Sequence, residues 1–296
     1  MADCVAATRA LPYPLQVCLV ALVYLMAAKG ALLFAIPPGY ATAIWPASGI
    51  AVAFCLLLGE RIWPAVWLGA TLANLPVAYS LIAAPVIACG NTLEAVACSA
   101  LVRALSGVGP RFDRGDQVIK FVAVAAMSCI IAATVAVHVL IADGALSWGQ
   151  FAINWWTWWQ GDLTGIIVAT PLLLSWALQG ERFPLPGRGV EFLALMVFSS
   201  LAAMVIFGDW LVGDRPLPLS FLVLPFVIWA AFRFSQREVT TVAAVVSGIA
   251  IWCTLAGRGE FVRPTINESL LYLLAFVGTA TVTGLVLCAA LAGRSR

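Results

Sequence analysis

The sequence predicts an all-α integral membrane bundle of about ten transmembrane helices (eight to ten), with both termini in the cytoplasm. Composition predicts the class, because 63% of the 296 residues are hydrophobic and only 10% are charged, whereas a soluble domain carries about 25% charged residues. The positions of the basic residues predict the number of helices. The formal net charge of +2 is too small to indicate a nucleic-acid partner.

A membrane-spanning helix needs about 20 mainly apolar residues. The chain contains ten apolar stretches that approach this length, and no Pro- or Ser-rich linker separates them. We therefore predict a short cytoplasmic tail at 1–12, one integral membrane domain at 13–292 and a cytoplasmic tail at 293–296. The predicted helices are 13–36, 44–58, 62–79, 85–105, 118–141, 151–178, 190–211, 219–234, 239–255 and 269–292.

Basic residues alternate between the loops that these ten helices define. Twelve of the 16 Lys and Arg residues fall in loops on one side, three fall on the other, and Lys29 lies within a helix. The positive-inside rule assigns the richer side to the cytoplasm. Because a missed helix would disturb the alternation after it, the pattern favours ten helices and two cytoplasmic termini.

The second helix is short. From Pro46 to Leu58 there are 13 residues, which make about 20 Å of helix. Proline is favoured in the first turn of a helix, so the helix can begin below the outer surface, with residues 39–45 entering as non-helical chain. Such backbone occurs at depth only where protein or a water-filled cavity surrounds it. The alternative is a thin local bilayer with Trp45 at its surface.

Polar residues inside the predicted helices suggest a pocket in the outer half of the membrane. In the sixth helix, Asn154, Trp158, Asp162 and Gly165 share one helical face. Ionisable groups inside a membrane are costly and usually face a bundle interior or a cavity. We expect the first six helices to build this pocket and the last four to support it. The candidate ligand-binding residues are Lys29, Ser48, Asn91, Glu94, His138, Asn154, Trp158 and Asp162.

Several of these residues have a structural alternative. Lys29 can extend to the membrane surface, Glu94 can form an ion pair with Lys29, and His138 can be a surface residue. Asn91 and Asn154 can simply link helices by hydrogen bonds. If Lys29 and both acids are charged, the pocket carries −1, which predicts a cationic or zwitterionic small molecule, or a proton, as ligand.

The sequence contains no motif for catalysis, metal binding or a cofactor. It has no GxSxG, phosphate-binding loop or HExxH motif, and its only histidine is His138. No two of the eight cysteines are spaced as CxxC, so we expect them to fill space between helices. We therefore predict that the protein is not an enzyme.

Five stretches of the chain resemble the first class of bacterial membrane-associated sensor domains, called MASE-one. The most specific segments are 45–50, 90–94 and 158–165, and the resemblance covers about residues 13–292. The stretches are IWPASGIAVAFCLLLGERIWPAVWLGATLAN, IACGNTLEAVACSALVRAL, FDRGDQVIKF, NWWTWWQGDLTGIIVATPLLLSW and LPFVIWAAFRF.

This resemblance implies an integral membrane sensory module, and places Asn91, Glu94 and Asp162 in its sensing core. Members of the family are typically joined to histidine kinase or diguanylate cyclase output domains. Here only AGRSR follows Leu291, so we expect either that the output comes from a cytoplasmic or membrane partner of that type or that the sequence is a fragment of a larger signalling protein. The stimulus is expected to be a small polar ligand or a proton from the periplasm. Membrane lipids are expected partners, and a homodimer is an open alternative.

A small-solute transporter is the second hypothesis, because transporters also use interrupted helices and intramembrane acids. Flux of a solute across liposomes would distinguish transport from sensing. A scaffold is the third hypothesis, and it predicts that neutralising the acids has no effect. Under each hypothesis the chain is expected in the bacterial cytoplasmic membrane as a multi-pass protein.

Overall fold

The computed structural model describes residues 8–33, 35–36, 41–42, 44–76, 80–106, 112–178, 187–210 and 218–294. The predicted all-α architecture is confirmed. Ten helices of ten or more residues follow one another in this part of the chain: α1 (Tyr13–Leu32), α2 (Pro46–Leu58), α3 (Trp63–Asn74), α4 (Ala83–Ser106), α5 (Gly115–Ala142), α6 (Phe151–Leu178), α7 (Gly189–Phe207), α8 (Leu224–Arg233), α9 (Gln236–Leu255) and α10 (Ile266–Arg294).

Short elements connect some of these helices. Three 3₁₀ turns lie at Glu60–Ile62, Trp148–Gln150 and Ser220–Val223. Two strands of two residues each, β1 (Ala35–Ile36) and β2 (Ala41–Thr42), pair antiparallel between α1 and α2.

Seven of the helices are long and apolar enough to cross a membrane: α1, α4, α5, α6 with its preceding turn, α7, α9 and α10. Pro46–Leu58 and Ser220–Arg233 are apolar but shorter, and α3 has only 12 residues. The chain is therefore a multi-pass membrane protein. The count of ten spans and the cytoplasmic position of both termini remain predictions.

The third predicted helix is shorter than expected. The stretch 62–79 predicts a full span, but α3 ends at Asn74 and a turn follows. Pro76 explains the end, because proline has no N–H to continue the helical hydrogen bonds.

The chain divides into two compact units. The first contains Met1–Pro110 and Lys120–Ala177, and the second contains Arg111–Ile119 and Leu178–Arg296. The division falls between the six helices predicted to build the pocket and the four predicted to support it. The single membrane domain at 13–292 stays a prediction.

Small residues allow close helix packing in the first unit, as is common in membrane bundles. α1 packs on α2 and α3, and α4 packs on the same two helices. At Gly69 of α3, an added Cβ would lie 2.9 Å from the Ala21 carbonyl oxygen of α1. At Gly90 of α4, it would lie 2.9 Å from Val135 of α5. These contacts hold α1 to α5 around the short helix α2.

In the second unit, α9 packs on α7, α8 and α10. Arg233 at the end of α8 donates two hydrogen bonds to Glu191 of α7, at 2.7 and 2.9 Å. Ser235 and Glu238 form a capping box at the start of α9, and Glu238 is 1% exposed. The burial of Glu238 has a local cause, because its carboxylate accepts a hydrogen bond from the Ser235 N–H at 3.0 Å.

Candidate functional site

Non-helical chain enters the first unit beside α6 and leads into α2. Trp45 precedes the first helical residue, Pro46, and its N–H donates to the Gly161 carbonyl of α6 at 2.9 Å. An added Cβ at Gly161 would lie 2.5 Å from the Thr42 carbonyl oxygen. At Gly165 it would lie 2.0 Å from the Trp45 carbonyl oxygen. The two glycines therefore let backbone lie directly against backbone.

This contact places the start of α2 deep within the bundle. Ser48, the third residue of α2, donates from its hydroxyl group to Asp162 Oδ1 at 2.8 Å. Asp162 comes eleven residues after the start of α6 at Phe151, which is about 16 Å along the helix. The first turn of α2 therefore lies beside the middle of α6, and its depth below the outer surface of the membrane stays a prediction.

Glu94 and Asp162 form a buried pair of carboxyl groups beside Ser48. Glu94 is 0% exposed and Asp162 is 1% exposed. The Glu94 carboxyl group adjoins both Ser48 and Asp162. Both Glu94 oxygens and Asp162 Oδ2 lack a hydrogen-bond donor among the described residues. Buried polar atoms without partners are rare in folded proteins, so this pair is a strong candidate for a functional site.

Tyr24 extends the polar cluster. Its hydroxyl group is within 3.4 Å of the Asn91 side-chain amide and of the Trp45 indole nitrogen. Tyr24 is 0% exposed and Asn91 is 2% exposed. Asn91 lies one helical turn before Glu94 on α4, and its Oδ1 also lacks a donor in the described part of the chain. The cluster therefore joins α1, α2, α4 and α6.

A pocket reaches Asp162 from one end of the bundle. It encloses about 310 Å³ of empty space, counted to its open mouth. Its lining residues are Leu32, Thr42, Trp45, Asn74, Trp158, Gly161 and Asp162.

The short lengths of α2 and α3 create this recess. Tyr13, the first residue of α1, donates to the Arg61 carbonyl in the turn between α2 and α3. From that level α1 extends over 20 residues and α3 over only 12, about 30 Å and 18 Å. Asn74 thus ends α3 about 12 Å below the end of α1, and the space above it is the pocket.

The opposite end of α2 is held by guanidinium groups. Arg103 donates to the Cys55 and Leu56 carbonyls at 2.6 and 2.9 Å. Arg9 donates to the Leu57 carbonyl at 2.5 Å. Cations favour the partially negative C-terminal end of a helix. Arg103 is itself positioned by an ion pair with Glu60, at 2.9 Å.

The structure brings together five of the eight candidate residues. Ser48, Asn91, Glu94 and Asp162 lie in the buried cluster, and Trp158 lines the pocket beside Asp162.

Three candidates lie elsewhere in the first unit. Lys29 is exposed on α1, and no ion pair joins it to Glu94 in the described residues. His138 is exposed, contacts Trp148 and Phe151 with ring centroids 5.7 and 5.2 Å away, and approaches the Thr134 carbonyl. Asn154 donates to the Gln150 carbonyl of its own chain segment. Asn154 shares a helical face with Asp162, but it lies two turns nearer the start of α6.

The sequence analysis did not single out Tyr24, although it is central to the cluster. The sequence did contain a signal for it. Residues spaced three or four apart form one face of α1, and the structure buries that face, which carries Val17, Val20, Tyr24, Ala28 and Ala31. A tyrosine on such a face of small residues must place its hydroxyl group inside the protein.

No three of the His, Cys, Asp and Glu side chains in the described ranges come together as a metal site. The arrangement can instead bind a donor or a positive charge at the buried carboxyl groups.

One family model, MASE1, matches residues 16–295, which is nearly the whole chain. No curated protein and no solved structure matches the chain.

Proposed function

The chain belongs to the MASE1 family of membrane-associated sensor domains, and we propose that it is the sensory input module of a signalling system in the bacterial cytoplasmic membrane. The family is sensory and not catalytic. A small polar ligand or a proton would enter from the periplasmic side and engage Asp162 and Glu94. The signal would pass to a partner of the histidine kinase or diguanylate cyclase type.

The observation that carries this proposal is a buried carboxyl pair with unpartnered oxygens, of which Asp162 lines a pocket and Glu94 lies behind it. A buried acceptor without a donor costs about 1–3 kcal/mol, and more when it is charged. A site that exists only to hold helices together would have satisfied these oxygens from neighbouring side chains. A ligand that donates to them would regain that free energy, and would therefore favour the helix packing in which they face the pocket.

Helix α2 offers a route from the pocket to the other side of the bundle. Its first turn contacts Asp162 through Ser48, and its last turn is held by Arg9 and Arg103. A ligand that moves Asp162 acts on the first turn of a rigid helix of about 20 Å. The movement would reach the basic inner side, from which we expect the last helix and the basic loops to contact the partner.

The test is a signalling readout in cells that express the chain and its partner. We would measure the phosphorylation of partner kinases and the cellular level of cyclic di-GMP, with wild type, a deletion, Asp162→Asn and Arg103→Gln. Deletion and Asp162→Asn should abolish the response to the stimulus, and Arg103→Gln should reduce it although the pocket is intact. Glu268→Gln, an exposed acid in the second unit, is the matched control.

A transporter is the second candidate, favoured by the interrupted entry into α2 next to buried acids. Purified protein in liposomes distinguishes the two. Solute-dependent or proton-dependent flux would support transport, and saturable binding without flux supports sensing. Absence of any partner on purification, together with an unchanged output after deletion, would contradict the sensor proposal.

A further inference from the structure

The unpartnered atoms of the buried cluster are all of one kind. Glu94 Oε1 and Oε2, Asp162 Oδ2 and Asn91 Oδ1 are oxygen acceptors, and no donor reaches them from the described residues. The Ser48 hydroxyl group donates to Asp162 Oδ1 at 2.8 Å, and the Trp158 side chain also adjoins the Asp162 carboxyl group. With both carboxyl groups ionised, the cluster carries two negative charges and no positive charge among its described residues, and an anionic ligand cannot balance them.

The nearby basic residues do not supply this charge. Lys29 is exposed on α1. Arg9 and Arg103 donate to carbonyl groups at the far end of α2, about 10–14 Å along the helix from Ser48.

The walls of the pocket indicate what kind of cation fits. Trp45, Trp158 and Leu32 line it together with Asp162. Indole rings attract organic cations through the negative face of the ring. A bare metal ion would instead need a surrounding shell of oxygens, and the described His, Cys, Asp and Glu side chains form no group of three. The pocket is open at its mouth, so the apolar part of a ligand can extend outward from Asp162.

From these observations we infer that the pocket binds the ammonium group of a small organic amine. The N–H groups would donate to Asp162, with Glu94 and Asn91 behind it, and the apolar part would lie between Trp45 and Trp158. This inference rests on the proposed sensor function, of which it names the ligand class.

The experiment measures binding to the purified full chain in nanodiscs by isothermal titration calorimetry. The probe is n-butylammonium chloride. The matched probes are n-butanol, which is neutral, sodium butyrate, which is an anion, and sodium chloride, which supplies a metal cation. We expect saturable binding of butylammonium only. Equal binding of butanol or butyrate, displacement of butylammonium by an equal concentration of sodium ions, or no binding of any probe would overturn the inference.

Two isosteric variants locate the binding. Asp162→Asn should weaken butylammonium binding by about 30-fold or more, as expected when a buried charge loses its partner, and Glu94→Gln should also weaken it. Glu268→Gln should bind as wild type does. Should a variant not fold, the wild-type protein still decides the matter. Its unfolding temperature must rise with butylammonium concentration, because a ligand that binds only the folded state stabilises it, and an unchanged temperature would contradict the inference.

The signalling readout separates this inference from the proposed function. If butylammonium binds at Asp162 and the cellular output does not change, the ligand class stands and the sensor role is contradicted. If the output responds to a stimulus through Asp162 while butylammonium does not bind, the sensor role stands and the amine inference is wrong.

Discussion

Replacing Gly165 with alanine tests the close approach on which the site depends. The added Cβ would lie 2.0 Å from the Trp45 carbonyl oxygen and 2.5 Å from its carbonyl carbon. Both atoms belong to the backbone, so no side-chain rotation can relieve the contact. We expect α6 and the chain before α2 to separate, which opens the site and destabilises the first unit.

The size of the effect follows from the geometry. Since real Cβ contacts below 3.0 Å are essentially absent, the two backbones must move apart by about 1 Å or more. Overpacking of this kind costs about 1–3 kcal/mol. The same movement breaks the hydrogen bond from Trp45 to Gly161, and a buried donor left without a partner costs about 1–3 kcal/mol. Alanine regains about 1 kcal/mol of helix propensity, so the net loss is about 1–5 kcal/mol.

Thermal unfolding of the purified protein measures this loss. A change of 1 kcal/mol shifts the Tm by about 2–4 °C in a domain of 150–250 residues, so a loss of about 3 kcal/mol, the middle of this range, should lower the Tm of Gly165→Ala by about 6–12 °C. Gly30→Ala is the matched control, because a Cβ at Gly30 of α1 meets nothing within 4 Å. It should leave the Tm unchanged or slightly higher. Equal Tm values for the two variants would refute the close approach.

Three further predictions follow from local geometry. Ser48→Ala removes the donor to Asp162, so the free energy of unfolding in denaturant titrations should fall by about 1–3 kcal/mol; an unchanged value would exclude this hydrogen bond. Gly259→Ala and Gly257→Ala share the strain of a positive φ, about 1–2 kcal/mol. Of the two, only Gly259→Ala would place a Cβ 2.6 Å from a backbone oxygen. The Tm of the Gly259→Ala variant should therefore be several degrees lower than that of the Gly257→Ala variant. In a cysteine-free background, Arg61→Cys should react with a membrane-impermeant maleimide only from the cytoplasmic side; labelling from outside would contradict the orientation.

The sequence predicted the positions of the helices better than their contacts. The predicted helices 151–178 and 44–58 agree closely with α6 and α2, because hydropathy and a proline at the first turn are local signals. The contact between Ser48 and Asp162 joins residues 114 positions apart. No local pattern encodes such a contact, so the sequence could name five residues of the site but not which of them touch.

Lys29 shows that the sequence also could not exclude a residue that lies outside the site. A lysine within an apolar helix has two acceptable solutions, a buried ion pair or an extended chain that reaches the surface. Which one occurs depends on the helical face that neighbouring helices cover. On α1 that face carries Tyr24 and Ala28, and Lys29 is exposed beside it. The face of α1 that packs into the bundle decided the outcome, and composition alone could not reveal it.

Two prolines determine where the recess lies. Pro46 begins α2 and Pro76 follows the end of α3 by two residues, and the residues beside them, Trp45 and Asn74, both line the pocket. Pro46 favours the start of α2 at that residue, and Pro76 keeps α3 from continuing. The two helices therefore span only about 18–20 Å of a hydrocarbon core of about 30 Å. The remaining depth is filled by extended chain and by the pocket. Asp162 can therefore lie far from the end of α1 and still line the pocket, since the two helices that would otherwise cover it are too short to do so.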